Sequence, residues 1–324
     1  MSMGVGSTCV CVTGASGFIG SWLVRFLLDR GYVVHATVKS LEDEAETKHL
    51  QALDGAASRL HLFQMDLLDP ASILAAINGT TGVFHLAAVF TLDRLQDPEK
   101  ELLDIAVKGT LNVLRAAKDS GVGRVMVTSS STAMVPNPNW PIDLVINEDS
   151  WADIDLLKKL ELWYPLSKTF AEKAAWEFAA AEGLDIVVIN PGLVLGPSLQ
   201  PHIGAAIKIL LYILQGIPVD LQQFYIGCAD VRDVAKTMIL LYENRSAQGR
   251  HLCEESIARW TDFIDKVADL YPEYKIQRVL EDKQAWVVRA ESPPKKVADL
   301  GLSFTPLEKT IKDAVEDLKS KAYI

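Results

Sequence analysis

Several things are scarce in this chain. Cysteine occurs four times in 324 residues, as Cys9, Cys11, Cys228 and Cys253. The four show no metal-type clustering, and they are too few for a disulfide scaffold. Cys9 and Cys11 lie two apart in an apolar run, which places them on one face of a buried strand as reduced core thiols. Positive charge is also scarce: Lys plus Arg is 32 against 42 for Asp plus Glu, a net charge of −10. With no basic block, nucleic acid and anionic membrane are poor partners. An anionic ligand would need a local basic pocket or oriented backbone amides. Long apolar runs are missing as well. The most apolar stretch, 203–219, is broken by Lys208, Gln215, Gly216 and Pro218, so it reads as a buried or amphipathic helix rather than a membrane span. The opening residues MSMGVGST carry no charged n-region and no apolar h-region, so the expected location is the cytoplasm. There is no internal repeat and no low-complexity tract.

What is present is an alternation. Short β-branched runs at 8–13, 32–38, 60–65, 82–86, 124–129 and 185–190 read as strands. Helical spacing falls between them at 18–30, 45–53, 71–77, 98–120 and 165–182. In the first of these helices Phe18, Ile19, Trp22, Leu23, Phe26 and Leu27 recur at three and four, and Gly31 stops it. Strands alternating with helices predict an α/β fold with a doubly wound parallel sheet, the Rossmann arrangement. After about Pro191 the rhythm changes, with helical patterns near 203–215, 230–242, 259–270 and 307–319. The expected organisation is a dinucleotide-binding domain over 1–190 and a smaller C-terminal substrate lobe over 191–324, with a segment at about 230–245 returning to the sheet.

The turn after the first strand reads Thr13-Gly14-Ala15-Ser16-Gly17-Phe18-Ile19-Gly20. Gly14 permits the tight turn, Gly17 close approach to a pyrophosphate, and Gly20 helix–strand packing. The amides of Ser16 to Gly20 would meet the phosphate at the helix N-terminus. The second strand ends at Val38-Lys39, and a cation there favours the 2′-phosphate of NADP over the 2′-hydroxyl of NAD. An acidic stretch, Glu42-Asp43-Glu44 and then Glu46, follows it. Asp66, just after the third strand, is placed to accept from the adenine amino group.

Tyr164 and Lys168 are four apart, one turn of a helix opened by Pro165. A phenol of ordinary pKa ~10 is a poor acid or base at neutral pH, and a nearby cation lowers it toward the working range. Lys168 would also hold cofactor ribose. A decoy of the same spacing, Tyr271 and Lys275, follows a helix of the C-terminal lobe and reads as loop. The fifth strand ends Thr128-Ser129-Ser130-Ser131 at the carboxyl edge of the sheet. A hydroxyl there stabilises charge building on a substrate carbonyl oxygen.

With these residues in this order, the chain resembles the extended short-chain dehydrogenase/reductases. More narrowly, it resembles the plant cinnamoyl-CoA reductase and dihydroflavonol 4-reductase group. Further matching segments are Asp66-Leu67, Val83-Phe84-His85, Lys108-Gly109-Thr110, Trp163-Tyr164 with Lys168, Asn190-Pro191 with Leu195-Gly196-Pro197, Asp230-Val231-Arg232-Asp233 and Asp299-Leu300-Gly301. The resemblance implies a catalytic trio of Ser130, Tyr164 and Lys168, with NADP(H) as cofactor and no metal. It implies that Leu67, Leu86, Ala87 and Ala88 contact the cofactor and that Pro191, Gly192 and Leu193 line its nicotinamide.

The departures concern the ligands. Lys39 stands where the group usually has Arg, and the positions that bring a second basic residue hold Glu44, Ala45 and Glu46. The CoA-reducing members carry a His and a Lys three apart in the helix after Asn190-Pro191, and here Ile209 and Tyr212 fall there. A third basic residue of that set is aligned with Arg250. The dihydroflavonol enzymes place Asn where Val135 stands. The leading expectation is therefore an NADP-dependent reductase of a small aromatic, phenylpropanoid-like aldehyde or ketone, with Ile203, Ile207, Leu210, Leu211 and Leu214 supplying apolar lining. The alternatives are a true cinnamoyl-CoA reductase and a non-catalytic NADP-sensing module.

Overall fold

The computed structural model describes residues 8–90, 95–141, 145–219, 225–278, 289–290 and 294–324. Most of the opening stretch MSMGVGST, residues 1–7, lies outside them. The strands are β1 (Cys9–Thr13), β2 (Val33–Val38), β3 (Leu60–Gln64), β4 (Gly82–His85), β5 (Arg124–Thr128), β6 (Val145–Ile146), β7 (Ile186–Pro191), β8 (Leu193–Leu195), β9 (Tyr225–Asp230), β10 (Gly249–Cys253), β11 (Ser256–Arg259) and β12 (Arg289–Ala290). The helices are α1 (Phe18–Asp29), α2 (Glu44–Gln51), α3 (Ala56–Arg59), α4 (Pro70–Ile77), α5 (Ile105–Asp119), α6 (Ile154–Lys159), α7 (Trp163–Glu182), α8 (Ala205–Leu214), α9 (Val231–Glu243), α10 (Trp260–Leu270), α11 (Lys295–Ala298) and α12 (Leu307–Ser320).

Seven strands form one sheet in the order β10-β7-β5-β4-β1-β2-β3. Every pairing in it is parallel, for example Val12 beside Ala36 and Phe84. Strand order runs outward in both directions from β1, so the β1/β4 boundary is the switch point, and its carboxyl edge is where such sheets bind ligands. The strands are buried on both faces and side chains alternate between them. Val10, Val12, Phe84, Met126, Val187 and Ile189 join the core under α1 and α9. Cys11, Val83, Val125, Val127, Ile186 and Val188 join the core under α4, α5 and α7.

The expected helix over 98–120 is divided: a π-helical turn, Glu99–Asp104, precedes α5. Helix α7 begins at Trp163, two residues before the expected start, so Pro165 is its third residue. From the C-terminal part of the chain, α9 packs on α1 and β10 adds the edge strand next to β7. A separate three-stranded sheet has the order β11-β9-β8, and its β9 touches β7. Ile203, Ile207, Leu210, Leu211 and Leu214 sit in a third core with Trp260, Phe263, Ile311 and Val315, which holds α8, α10 and α12 together. The apolar lining expected of these five is therefore core packing, although Ile203 and Leu211 also border a cavity described below. No helix among the described residues is long and apolar enough to cross a membrane. The described residues contain no group of three or more His, Cys, Asp and Glu side chains able to hold a metal ion.

Candidate active site

The glycine turn has the shape its sequence predicts. Gly14 has φ +67°, and a Cβ there would meet the backbone of Ala87 at 3.0 Å, so the β1 turn and the β4 end touch only because the side chain is missing. A Cβ on Gly20 would lie 2.3 Å from the Gly14 carbonyl oxygen. Gly17 is the N-cap of α1 in extended conformation, and no side chain caps the helix. Its first-turn amides and the positive end of the dipole are thus left to a ligand. A dinucleotide pyrophosphate fits this cradle: Gly17 keeps the approach open, and Gly14 and Gly20 hold the walls.

Beside the cradle, the Thr13 hydroxyl accepts from the amides of Leu86 and Ala87 at 3.0 and 3.1 Å. Its single hydrogen therefore goes to His85 Nδ1, 2.9 Å away, and His85 Nε2 donates to Thr110 Oγ1 at 3.3 Å. Burial, aided by the Lys168 cation, pushes the His85 pKa down to about 3, so the ring stays neutral. This wiring fixes residues 86 and 87 at the switch point. At the end of β2, Lys39 is exposed. The Glu46 carboxylate reaches back from α2 to accept from the Lys39 amide at 2.6 Å and the Ser40 amide at 3.4 Å. One cation and one carboxylate thus share the end of β2. Asp66 is exposed and accepts from the Leu68 amide at 2.8 Å. Asn112 holds the Leu67 carbonyl at 3.0 Å.

The trio expected from the sequence comes from the end of β5 and from α7. Ser130 is buried, and its oxygen accepts from the Thr132 amide at 3.2 Å and the Thr132 hydroxyl at 3.0 Å. Tyr164 faces it. Burial pushes the phenol up to about 12, and the Ser130 side chain opposes the rise. The expected lowering by Lys168 is not what the geometry gives. The ammonium lies 6.0 Å from the Tyr164 ring centre and donates to the Thr128 carbonyl at 3.1 Å. Burial also brings the Lys168 pKa down to about 8, while Glu172 pulls the other way. The Phe90 ring, 40% exposed, lies over Tyr164 with centroids 4.4 Å apart.

Glu172, one turn beyond Lys168, braces the group. It is buried, and it accepts from the Ser129 hydroxyl at 2.6 Å, Asn190 Nδ2 at 2.9 Å, Trp176 Nε1 at 3.2 Å and Arg250 Nε at 2.5 Å. Asn190 also donates to the Ser130 carbonyl at 3.2 Å. The strand end carrying Ser130 and the helix carrying Tyr164 are thus locked through one carboxylate. Sequence reasoning missed Glu172, although its spacing to Lys168 matches that of Lys168 to Tyr164. Phe90 carried no comparable signal.

Residues 10–252 match the family described as the NAD dependent epimerase/dehydratase family. The chain belongs to that family. Among curated relatives, a cinnamoyl-CoA reductase of Medicago truncatula is 43% identical over 317 residues, covering 97% of this chain and 96% of the relative. Among solved structures, vestitone reductase from alfalfa, Medicago sativa, superposes with a TM-score of 0.80 at 33% identity, covering 98% of this chain and 99% of that one. A yeast methylglyoxal/isovaleraldehyde reductase complexed with NADPH gives 0.83 at 26% identity, covering 98% and 100%.

In this member of the epimerase/dehydratase family the expected ligand residues need correction. Arg250 is turned into the protein. It is buried on Glu172, donates to the Glu148 and Ser150 carbonyls, and stacks on Trp151 with its guanidinium carbon 3.9 Å from the ring centre. Ile209 is buried in the core of α8, α10 and α12. Val135 belongs to a small cluster with Met134, Ile146 and Leu252. Tyr212 borders a cavity of about 390 Å³ with His202, Ile203, Lys208, Leu211 and Tyr323. The decoy Tyr271 lies at the C-terminal end of α10, against Tyr274.

Proposed function

We propose that the chain is an NADP(H)-dependent reductase that converts an aromatic, phenylpropanoid-like aldehyde or ketone to the alcohol. The observation that carries this reading is the Ser130, Tyr164 and Lys168 trio, braced by Glu172 at the carboxyl edge of the parallel sheet whose first strand leads into an uncapped glycine turn. When bound, the cofactor supplies a hydride to the carbonyl carbon. Gly14, Ser16, Gly17, Phe18, Ile19 and Gly20 would hold its pyrophosphate, Lys39 the 2′-phosphate, and Asp66 and Leu67 the adenine end. Residues 86–88 and Pro191, Gly192 and Leu193 would flank the ribose and nicotinamide. Residues 1–190 hold the cofactor in this reading, and 191–324 mainly close on the substrate, with 230–245 returning to the sheet. Four unpaired thiols suit the cytoplasm.

Ser130 donates to the carbonyl oxygen, and Tyr164 passes its proton to that oxygen as charge builds there. A phenol pushed up to about 12 is fully protonated at neutral pH, the form that reduction needs. Lys168 binds ribose hydroxyls and brings positive charge to the phenol when the site fills. The exposed face of Phe90 offers an aromatic ring to an aryl substrate next to the proton donor.

A CoA thioester is the second reading. It rests on the cavity that holds Lys208 and His202, neither of which has an ion-pair or hydrogen-bond partner among the described side chains. Against it, Arg250 is sealed away and Ile209 is core. NADPH oxidation with matched free aldehydes, ketones and CoA thioesters decides between the readings. Higher kcat/KM for the free carbonyl supports the first, and a clear thioester preference replaces it with the second.

A further inference from the structure

Glu254 follows β10 directly and is 1% exposed. Neither of its carboxyl oxygens has a hydrogen-bond partner among the described residues. It is wedged into the loops that bear on the site. A Cβ on Gly227 would lie 2.1 Å from both carboxyl oxygens, and one on Gly192 would lie 3.1 Å from Oε1. Gly192 itself donates to the Cys253 carbonyl at 3.3 Å, and the Glu255 amide donates to the Cys228 carbonyl at 2.7 Å. Two glycines thus leave a slot between β7, β9 and β10, and an acid side chain fills it beside the turn that carries Ser130 and Ser131.

An unpaired carboxylate in such a slot is costly, whereas the neutral acid is tolerated. The titratable groups facing it are the thiols of Cys228 on β9 and Cys253 on β10, with Glu255 beside the first and Asp233 behind the second. None is a cation. Burial pushes Glu254 up to about 8; the Ser131 hydroxyl lies close enough to offset part of this, but not in hydrogen-bonding geometry.

We propose that Glu254 is a positioning residue for the loop Pro191-Gly192-Leu193, that it acts as the neutral carboxylic acid, and that its proton is coupled to NADP(H) binding. The proposal rests on the reading that this loop flanks the nicotinamide. NADP(H) brings phosphate charge into an acidic chain and covers the loop, and both effects disfavour the ionised form further. The sign follows from linkage. Below about pH 8 the proton is already in place and affinity is at its maximum. Above it, binding must take up a proton, so affinity falls by at most about tenfold per pH unit.

The test is the NADPH dissociation constant of the full chain, read by tryptophan fluorescence between about pH 7 and about pH 9.5, for the unmodified protein and Glu254→Gln. The unmodified protein should weaken several-fold above its midpoint, while the Gln variant stays flatter. Lys168 titrates in the same range but is common to both proteins, so the difference between the curves is the reading. Parallel curves overturn the proposal. Infrared spectroscopy of the unmodified protein gives a measurement that needs no variant. A carbonyl stretch from a protonated acid should be present at neutral pH, disappear at alkaline pH, and persist to higher pH when NADPH is bound. A band that NADPH does not move overturns the coupling. Failure of NADPH to bind at any pH would overturn the functional reading, and the coupling with it.

Discussion

Glu172 and Glu254 are each 1% exposed, and both stand at the carboxyl edge of the parallel sheet. Glu172, on the α7 side, collects hydrogens from Ser129, Asn190, Trp176 and Arg250. Glu254, on the β10 side, collects none among the described residues. The same functional group therefore does opposite things. With donors on every side it acts as a rivet between β5, β7, β10 and α7. Without them, its charge is a liability that only a proton removes. Burial alone does not say what an acid does; its donors decide.

The largest test of this contrast is to break the rivet. Glu172→Ala leaves the Arg250 guanidinium buried without its counter-charge, and loss of one partner of a buried pair costs about 3–5 kcal/mol. Denaturant unfolding should show it, and a loss under about 1 kcal/mol would mean that the network is ornamental. Next is the chemistry the rivet supports. Tyr164→Phe should lower turnover by on the order of 10²-fold, about 2.7 kcal/mol, with NADPH affinity near normal, while Tyr271→Phe should do little. Equal losses in the two would remove Tyr164 from its role.

The Glu254 side is read from the pH dependence of stability. Its folded pKa, about 8, lies above the ordinary 4.5, so the native state binds the extra proton between those values. Stability should therefore fall as pH rises from about 4.5 to about 8, by at most about 1.4 kcal/mol per pH unit, and then level off. Glu254→Gln should lack that slope, and matching unfolding curves for the two proteins would break the comparison. The smallest effect belongs to a third acid, Glu46, which is satisfied by backbone amides. Lys39→Ala should weaken NADPH about tenfold and leave NADH nearly unchanged. Glu46→Gln should tighten NADPH by a few-fold, and paired dissociation constants for the two cofactors check both.

The strongly patterned parts of the molecule were legible. Periodicity located the first six sheet strands and α1, and the glycine turn announced itself because Gly14 and Gly20 have steric duties only glycine performs. The nearness of Tyr164 and Lys168 was legible because a helix turns spacing into proximity. The pairing of Arg250 was not legible because charge in a sequence says nothing about partners 78 positions away, and its partner Glu172 is such a residue. The perturbation of Tyr164 was misread for a related reason. Spacing puts Lys168 near the phenol, but only the fold shows the ammonium turned to the Thr128 carbonyl and the phenol governed by burial. The seventh strand, β10, is short and lies within the C-terminal part of the chain, so its place in the sheet is a matter of topology rather than local pattern.

The burial of Ile209 also bears on how this protein can change over evolutionary time. Its helix face joins α8 to α10 and α12, so a polar residue introduced there loosens three helices before it can touch a new ligand. Lys208, one residue earlier, borders an open cavity and carries no such obligation. Drift in ligand preference along this helix is therefore channelled. The cavity-facing positions 208 and 212 are free to explore, and 209 must wait for compensating changes on its neighbours.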